Sequence, residues 1–198
     1  EEIERKFENV PILADFTGGT KSMTAALVTA VLESDVINLV FVTGNRPDLV
    51  RVRDGTEHSA PAAVEAIRLE RRMAPFLKAW GRFAYDEAHS GLAQIKSPNK
   101  PSLRTSLFFA RDFSEAFAAW DRFDHTQAKN KFETYKPRVS QFWLDHYLFL
   151  KNLTEENDAV KKDLARIIDL HLNAQRRAKQ GRYDDAVART YRIIEWTA

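Results

Sequence analysis

Cysteine is absent from the 198 residues, which excludes a disulfide framework, a thiolate metal site and a cysteine nucleophile, and fits a reducing, cytoplasmic setting. No uninterrupted apolar run approaches the roughly 20 residues that a membrane-spanning helix needs, so no membrane partner is expected. Charge of one sign is lacking too. Thirty Lys and Arg stand against 28 Asp and Glu, a net charge of +2, and no strongly basic footprint announces nucleic acid. From Ser102 to Ala198 only Pro137 and Gly181 punctuate the chain, a sparseness that predicts long helices.

What is present divides unevenly. Residues 1–57 carry a net charge of −4 and the remainder +6, and four of the seven glycines fall in the first 55 residues. Two domains are expected, 1–60 and 61–198. In the first, Val10 to Phe16 and Ile37 to Val42 read as buried strands, and Lys21 to Glu33 carries apolar residues at helical spacing. Strand, helix and strand in so short a stretch predict a βαβ unit with a parallel pair. After the turn residues Gly44 to Asp48, the alternation Leu49 to Arg53 predicts an antiparallel hairpin at the sheet edge. Glu1 to Glu8 reads as the end of an amphipathic helix, so earlier strands are expected before Glu1. The fold class is therefore α/β, a Rossmann-like layer, followed by an all-α domain.

In that second region helices are predicted at Ala62 to Arg82, Ser102 to Phe109, Ser114 to Phe132, Arg138 to Leu150, Glu155 to Lys179 and Tyr183 to Ala198. Arg111 to Ala118 echoes Gly181 to Ala188, each an aromatic, two polar residues and then small apolar ones. Such a string opens a helix well and is shared by tetratricopeptide-type hairpins.

The richest candidate for chemistry is Asp15-Phe16-Thr17-Gly18-Gly19-Thr20-Lys21-Ser22, placed between a strand's carboxyl end and a helix, where open α/β sheets hold ligands. Paired glycines permit close backbone approach, free amides at the helix start offer donors, and Lys21 with the hydroxyls of Thr17, Thr20 and Ser22 adds charge and hydrogen bonds. Phosphate is the natural guest. The string is neither a Walker loop nor G-x-G-x-x-G, for Thr20 and Asp15 stand where a Walker loop has glycine. A tight turn capped by Thr20 is the plainer alternative.

This string after a buried strand, together with GRYDDAVARTYRIIE near the C-terminus, resembles the CARF effector proteins of type III CRISPR systems, in particular those with a TGGTK ligand loop and a wholly helical C-terminal part. The resemblance implies a CARF sensor domain, of which residues 1–60 are the C-terminal part, and a helical effector domain of HEPN-like or six-helix type. It implies that a homodimer binds cyclic oligoadenylate, as the tetra- or hexa-adenylate, with Thr17, Gly18, Gly19, Thr20, Lys21 and Ser22 lining the ligand. It further implies either a ligand-activated ribonuclease acting on single-stranded RNA or a ring nuclease that cleaves the messenger. A reading from a different class remains beside it: a nucleotide-binding module on a tetratricopeptide-like scaffold that recruits a protein and catalyses nothing.

Arg166 and His171 have the Arg-x4-His spacing of HEPN ribonucleases. Residues five apart on a helix point about 140° apart, however, and His171 continues the apolar stripe of Val160, Leu164 and Ile167, which predicts a core histidine. His58, His89, His125 and His146 show no metal-ligand spacing. Phe113, Phe117 and Trp120 fall at helical spacing and are expected in a core rather than as base-stacking platforms. Arg68, Arg71 and Arg72, with Arg176 and Arg177, are read as solvated helix faces, with RNA contact as the alternative. No catalytic residue, metal or cofactor is assigned.

Overall fold

The fold is described from a computed structural model, which covers residues 10, 12–34, 36–45, 53–135, 141–155 and 158–197, with the backbone alone at Gln141 and Phe142. The chain divides into two units, Glu1–Arg71 and Arg72–Ala198. Expectations for Glu1 to Glu8, and for the hairpin at 49–52, lie outside the described residues.

In the first unit β1 (Ile12–Asp15) leads into α1 (Lys21–Glu33), β2 (Ile37–Thr43) and β3 (His58–Pro61). The order is β1-β2-β3. Strands β1 and β2 are parallel with Ile12 opposite Ile37, and β3 runs antiparallel to β2 with Pro61 opposite Val40. The βαβ unit is therefore present. The antiparallel edge strand is His58–Pro61, whereas Arg53 belongs to a turn. Val31, Leu32, Leu39 and Val64 form the core, with Ala14, Phe16, Leu27 and Val28 packed against it, while Leu13 on the opposite pleat of β1 is 62% exposed. Three described strands covered on one face fall short of a full Rossmann layer.

Two side chains set this arrangement. Ser34 stops α1, and its hydroxyl accepts from the amides of Val36 and Ile37 at 3.2 Å each, turning the chain into β2. Arg68, on α2 (Val64–Trp80), is buried and donates to Val31 O through Nε at 3.1 Å and Nη2 at 2.6 Å, and also to Ile37 O. The Val31 carbonyl, which also accepts from the Ser34 amide at 3.2 Å, is thus capped by a guanidinium. Arg68 is a brace inside the unit and not part of a solvated face.

The second unit is helical: the rest of α2, then α3 (Tyr85–Gln94), α4 (Pro101–Asp121), α5 (His125–Tyr135), α6 (Gln141–Thr154), α7 (Ala159–Lys179) and α8 (Tyr183–Thr197). From α3 onward each helix packs chiefly on its neighbours in sequence. The core gathers Phe113, Ala116, Ala119 and Trp120 from α4 with Phe132, Tyr147 and Leu150. Burial of a side chain such as Phe132, 1% exposed, contributes about 2–3 kcal/mol. The expected core role of Phe113 and Trp120 is met.

Three helix readings differ from expectation. A single α4 replaces the helices at Ser102 to Phe109 and the start of Ser114 to Phe132, a break at Arg122 to Asp124 divides the latter into α4 and α5, and α3 was not foreseen. Ser114 reads as a cap, yet its hydroxyl donates to Ala110 O at 2.7 Å and accepts from Trp80 Nε1 at 2.9 Å, so it needs no helix end. Arg111 to Ala118 lies inside α4, and the echo with Gly181 to Ala188 is not a structural repeat.

A different recurrence is real. After α2, α4 and α7 the chain closes in the same way. Phe83, Phe123 and Gly181 adopt positive φ of 60°, 64° and 76°. Their amides donate to Trp80 O, Trp120 O and Ala178 O, and the next amides, of Ala84, Asp124 and Arg182, donate to Ala79 O, Ala119 O and Arg177 O at 2.9 Å each. This is Schellman closure, which ordinarily takes glycine at the left-handed position.

Candidate functional site

The loop from Asp15 to Ser22 stands at the carboxyl end of β1 and all of it but Phe16 is exposed. Asp15 Oδ1 accepts from the Thr17 amide at 2.9 Å and from its hydroxyl at 2.5 Å. These bonds, the hydroxyl's foremost, hold the Asp15 carboxyl below its usual pKa. Thr17 Oγ1 also accepts from the Val42 amide of β2 at 2.6 Å. The Thr17 hydroxyl thus ties the loop to the second strand, and its one proton is already donated.

Thr20 caps α1, its Oγ1 accepting from the Met23 amide at 3.3 Å. The amides of Lys21 and Ser22, at the first two helical positions, have no carbonyl within the helix to receive them. Gly18 faces open space, and Gly19 at φ +94° lets the chain double back beside Met23. Lys21 and Ser22 make no hydrogen bond or ion pair among the described residues. Six adjacent residues are therefore sorted: Thr17 and Thr20 shape the loop, while the amides of Gly18 to Ser22, the Lys21 ammonium and the Ser22 hydroxyl belong to exposed residues and donate to nothing among the described residues. Such a set can receive an anion, with the helix dipole adding to it.

In the helical unit Arg166 and His171 are both exposed on α7. Arg166 pairs with Asp163 at 3.3 Å and His171 Nε2 lies 3.0 Å from Gln175 Nε2, so neither engages the other. His171 is not a core residue. Its stripe is the exposed one: Val160 is 78% and Leu164 57% exposed. Arg176 and Arg177 are likewise not a solvated face. Arg176 Nε and Arg177 Nη2 bind Asp121 at 3.1 and 2.5 Å, and buried Asn173 adds its amide at 3.1 Å. Nearby, buried Asp169 accepts from Trp120 Nε1 at 2.9 Å and pairs with His125 Nε2 at 2.8 Å. These two carboxylate clusters were not foreseen, because their partners lie 44 to 56 residues apart; the adjacent arginines beside an asparagine in α7 were the only local signal.

Residues 68–165 match the family model of the Csm6 6H domain, and residues 155–198 that of the Csm6 HEPN domain. The first span takes α2 from Arg68 through α6 into the opening of α7, and the second takes α7 and α8. The two matches support a Csm6-type CRISPR effector. They indicate a type III CRISPR ancillary protein with a HEPN effector. No curated protein matches the chain. The TGGTK loop precedes both matched spans, whereas Arg166 and His171 lie within the HEPN span. No helix among the described residues is long and apolar enough to cross a membrane.

Proposed function

We propose that the chain senses cyclic oligoadenylate through the loop from Thr17 to Ser22 and thereby regulates its helical HEPN region in antiviral defence, as a homodimer in the cytoplasm. The observation that carries this reading is the exposed donor set of Gly18 to Ser22 at a strand's carboxyl end, in one chain with Csm6-type helices. A cyclic ligand with repeating phosphates offers the same face to two identical loops, so a symmetric dimer halves the recognition each must supply. Ligand binding biases the effector only through a difference in affinity between two arrangements of the dimer. The helical region then acts on single-stranded RNA. Loop residues poised on the ligand also admit ring-nuclease chemistry, with Lys21 stabilising charge on the phosphate.

Calorimetric titration with cyclic tetra- and hexa-adenylate tests this, beside linear adenylate. One ring is expected to bind at one per dimer, and Lys21→Ala to weaken it at least about tenfold by removing a charge-assisted contact. Gly18→Ala, which meets no neighbour, should leave the fold intact and weaken binding by blocking close approach. Ligand-dependent cleavage of labelled single-stranded RNA identifies the ribonuclease, and linear adenylates from the ring identify a ring nuclease. A folded chain that binds neither ring overturns the sensor reading.

A further inference from the structure

The three turns with common closure surround one cavity in the helical unit. Phe83 from the first turn, Asp121 from the approach to the second, and Arg176 and Lys179 from the approach to the third line a space of about 440 Å³, the size of a small-molecule site. The turns are also tied to one another: Gln180 Nε2 donates to Phe83 O at 3.1 Å, and Asp121 is held by α7 as described.

The walls are aromatic. Phe117 and Trp120 of α4 face His146 and Phe149 of α6, with Tyr85 at the start of α3. Trp120 and Phe149 lie nearly parallel at 5.9 Å between centroids. The carboxylates of Asp121 and Asp169 are already matched, the first by two guanidinium groups and the second by His125 and the Trp120 indole. A cavity whose buried carboxylates are compensated is not built to bind an organic cation. Besides exposed Asp145, which also lines the space, the remaining charge at the walls is positive. Exposed Lys179 rests its ammonium over the Phe83 ring at 5.6 Å, and Arg176, which meets Asp121 through Nε, also lines the space. Flat apolar walls beside these two cations fit a planar heteroaromatic group carrying a phosphate.

The geometry points to a nucleotide subsite in the helical unit, the base against the aromatic walls and the phosphate at Lys179 and Arg176. Its occupant is a free nucleoside monophosphate or one residue of a single RNA strand. The site is separate from the TGGTK loop and stands without the sensor reading. Calorimetry and tryptophan fluorescence on the 198-residue chain test it with adenosine 5′-monophosphate, uridine 5′-monophosphate and a 2′-O-methylated RNA hexamer that resists cleavage. Saturable binding is expected, weakened about tenfold by Lys179→Glu, which reverses the phosphate contact, and abolished by Leu172→Trp, which fills the cavity from its half-exposed wall. Lys179 is exposed, so Lys179→Glu keeps a folded probe should the tryptophan variant melt early. Tighter binding of the hexamer assigns the site to RNA, and equal binding assigns it to free nucleotide. No saturable binding by a folded chain, binding indifferent to Lys179→Glu, or preference for spermidine over every nucleotide overturns the inference.

Discussion

The hydroxyl of Thr17 serves two neighbours at once, donating to Asp15 Oδ1 at 2.5 Å and accepting from the Val42 amide at 2.6 Å. Because the folded Asp15 carboxyl titrates below its unfolded value, its contribution to stability is complete above the ordinary carboxylate range near about pH 4 and is lost as pH falls through the lowered value. Thr17→Val deletes the larger cause and leaves the backbone amide, so the Asp15 midpoint should move back up toward that range. Carbon-detected NMR titration of the carboxyl follows it directly, and an unmoved midpoint would assign the whole depression to the amide. The string itself displays glycines, hydroxyls and a lysine, which is enough to mark an anion loop. It does not display which hydroxyls are already engaged, since the partner of Thr17 is a backbone amide on another strand.

At the scale of elements, βαβ was legible because the apolar runs are short and the helix between them has a cap at one end and Ser34 at the other. The break after α4 was not, because Phe123 occupies the left-handed position where glycine ordinarily signals a stop; the end of α2 was legible near Arg82 although Phe83 takes the same conformation there. Packing compensates for the strain: Phe83 lies against Tyr85 and Phe123 against His125. Gly91 in α3 shows glycine used for contact instead. A Cβ added there would overlap the ring of Phe76. On an open helix Gly→Ala gains about 1 kcal/mol, but overpacking costs about 1–3 kcal/mol. Gly91→Ala should therefore destabilise in urea denaturation. In a Phe76→Leu background much of that loss should vanish, with a coupling of about 1 kcal/mol or more. Additive losses would mean that the ring of Phe76 does not set the requirement for glycine.

For the molecule as a whole, the three most exposed large apolar side chains among the described residues, Val160, Tyr183 and Val187, lie in the matched HEPN span. Val160 and Leu164 on α7 are joined by Val187, Tyr191 and Ile194 on α8, the last three 67%, 64% and 58% exposed, and no residue of α8 is buried. Helix α8 keeps its amphipathic spacing while its apolar stripe meets water, and stripes of this kind on soluble chains mark contact surfaces. The periodicity was readable in the sequence; the side to which it points was not, because spacing identifies an apolar face without saying what covers it. Under the proposed homodimer a second copy covers it. Light scattering on the eluting chain should give at least twice the 22.7 kDa monomer mass, and Val187→Glu with Tyr191→Glu should return it toward one chain, with helix content by circular dichroism unchanged. A charged pair of substitutions that leaves the dimer intact would move the interface away from α8, and a wild-type chain that stays monomeric at its highest soluble concentration would remove the symmetric premise on which two loops share one ring.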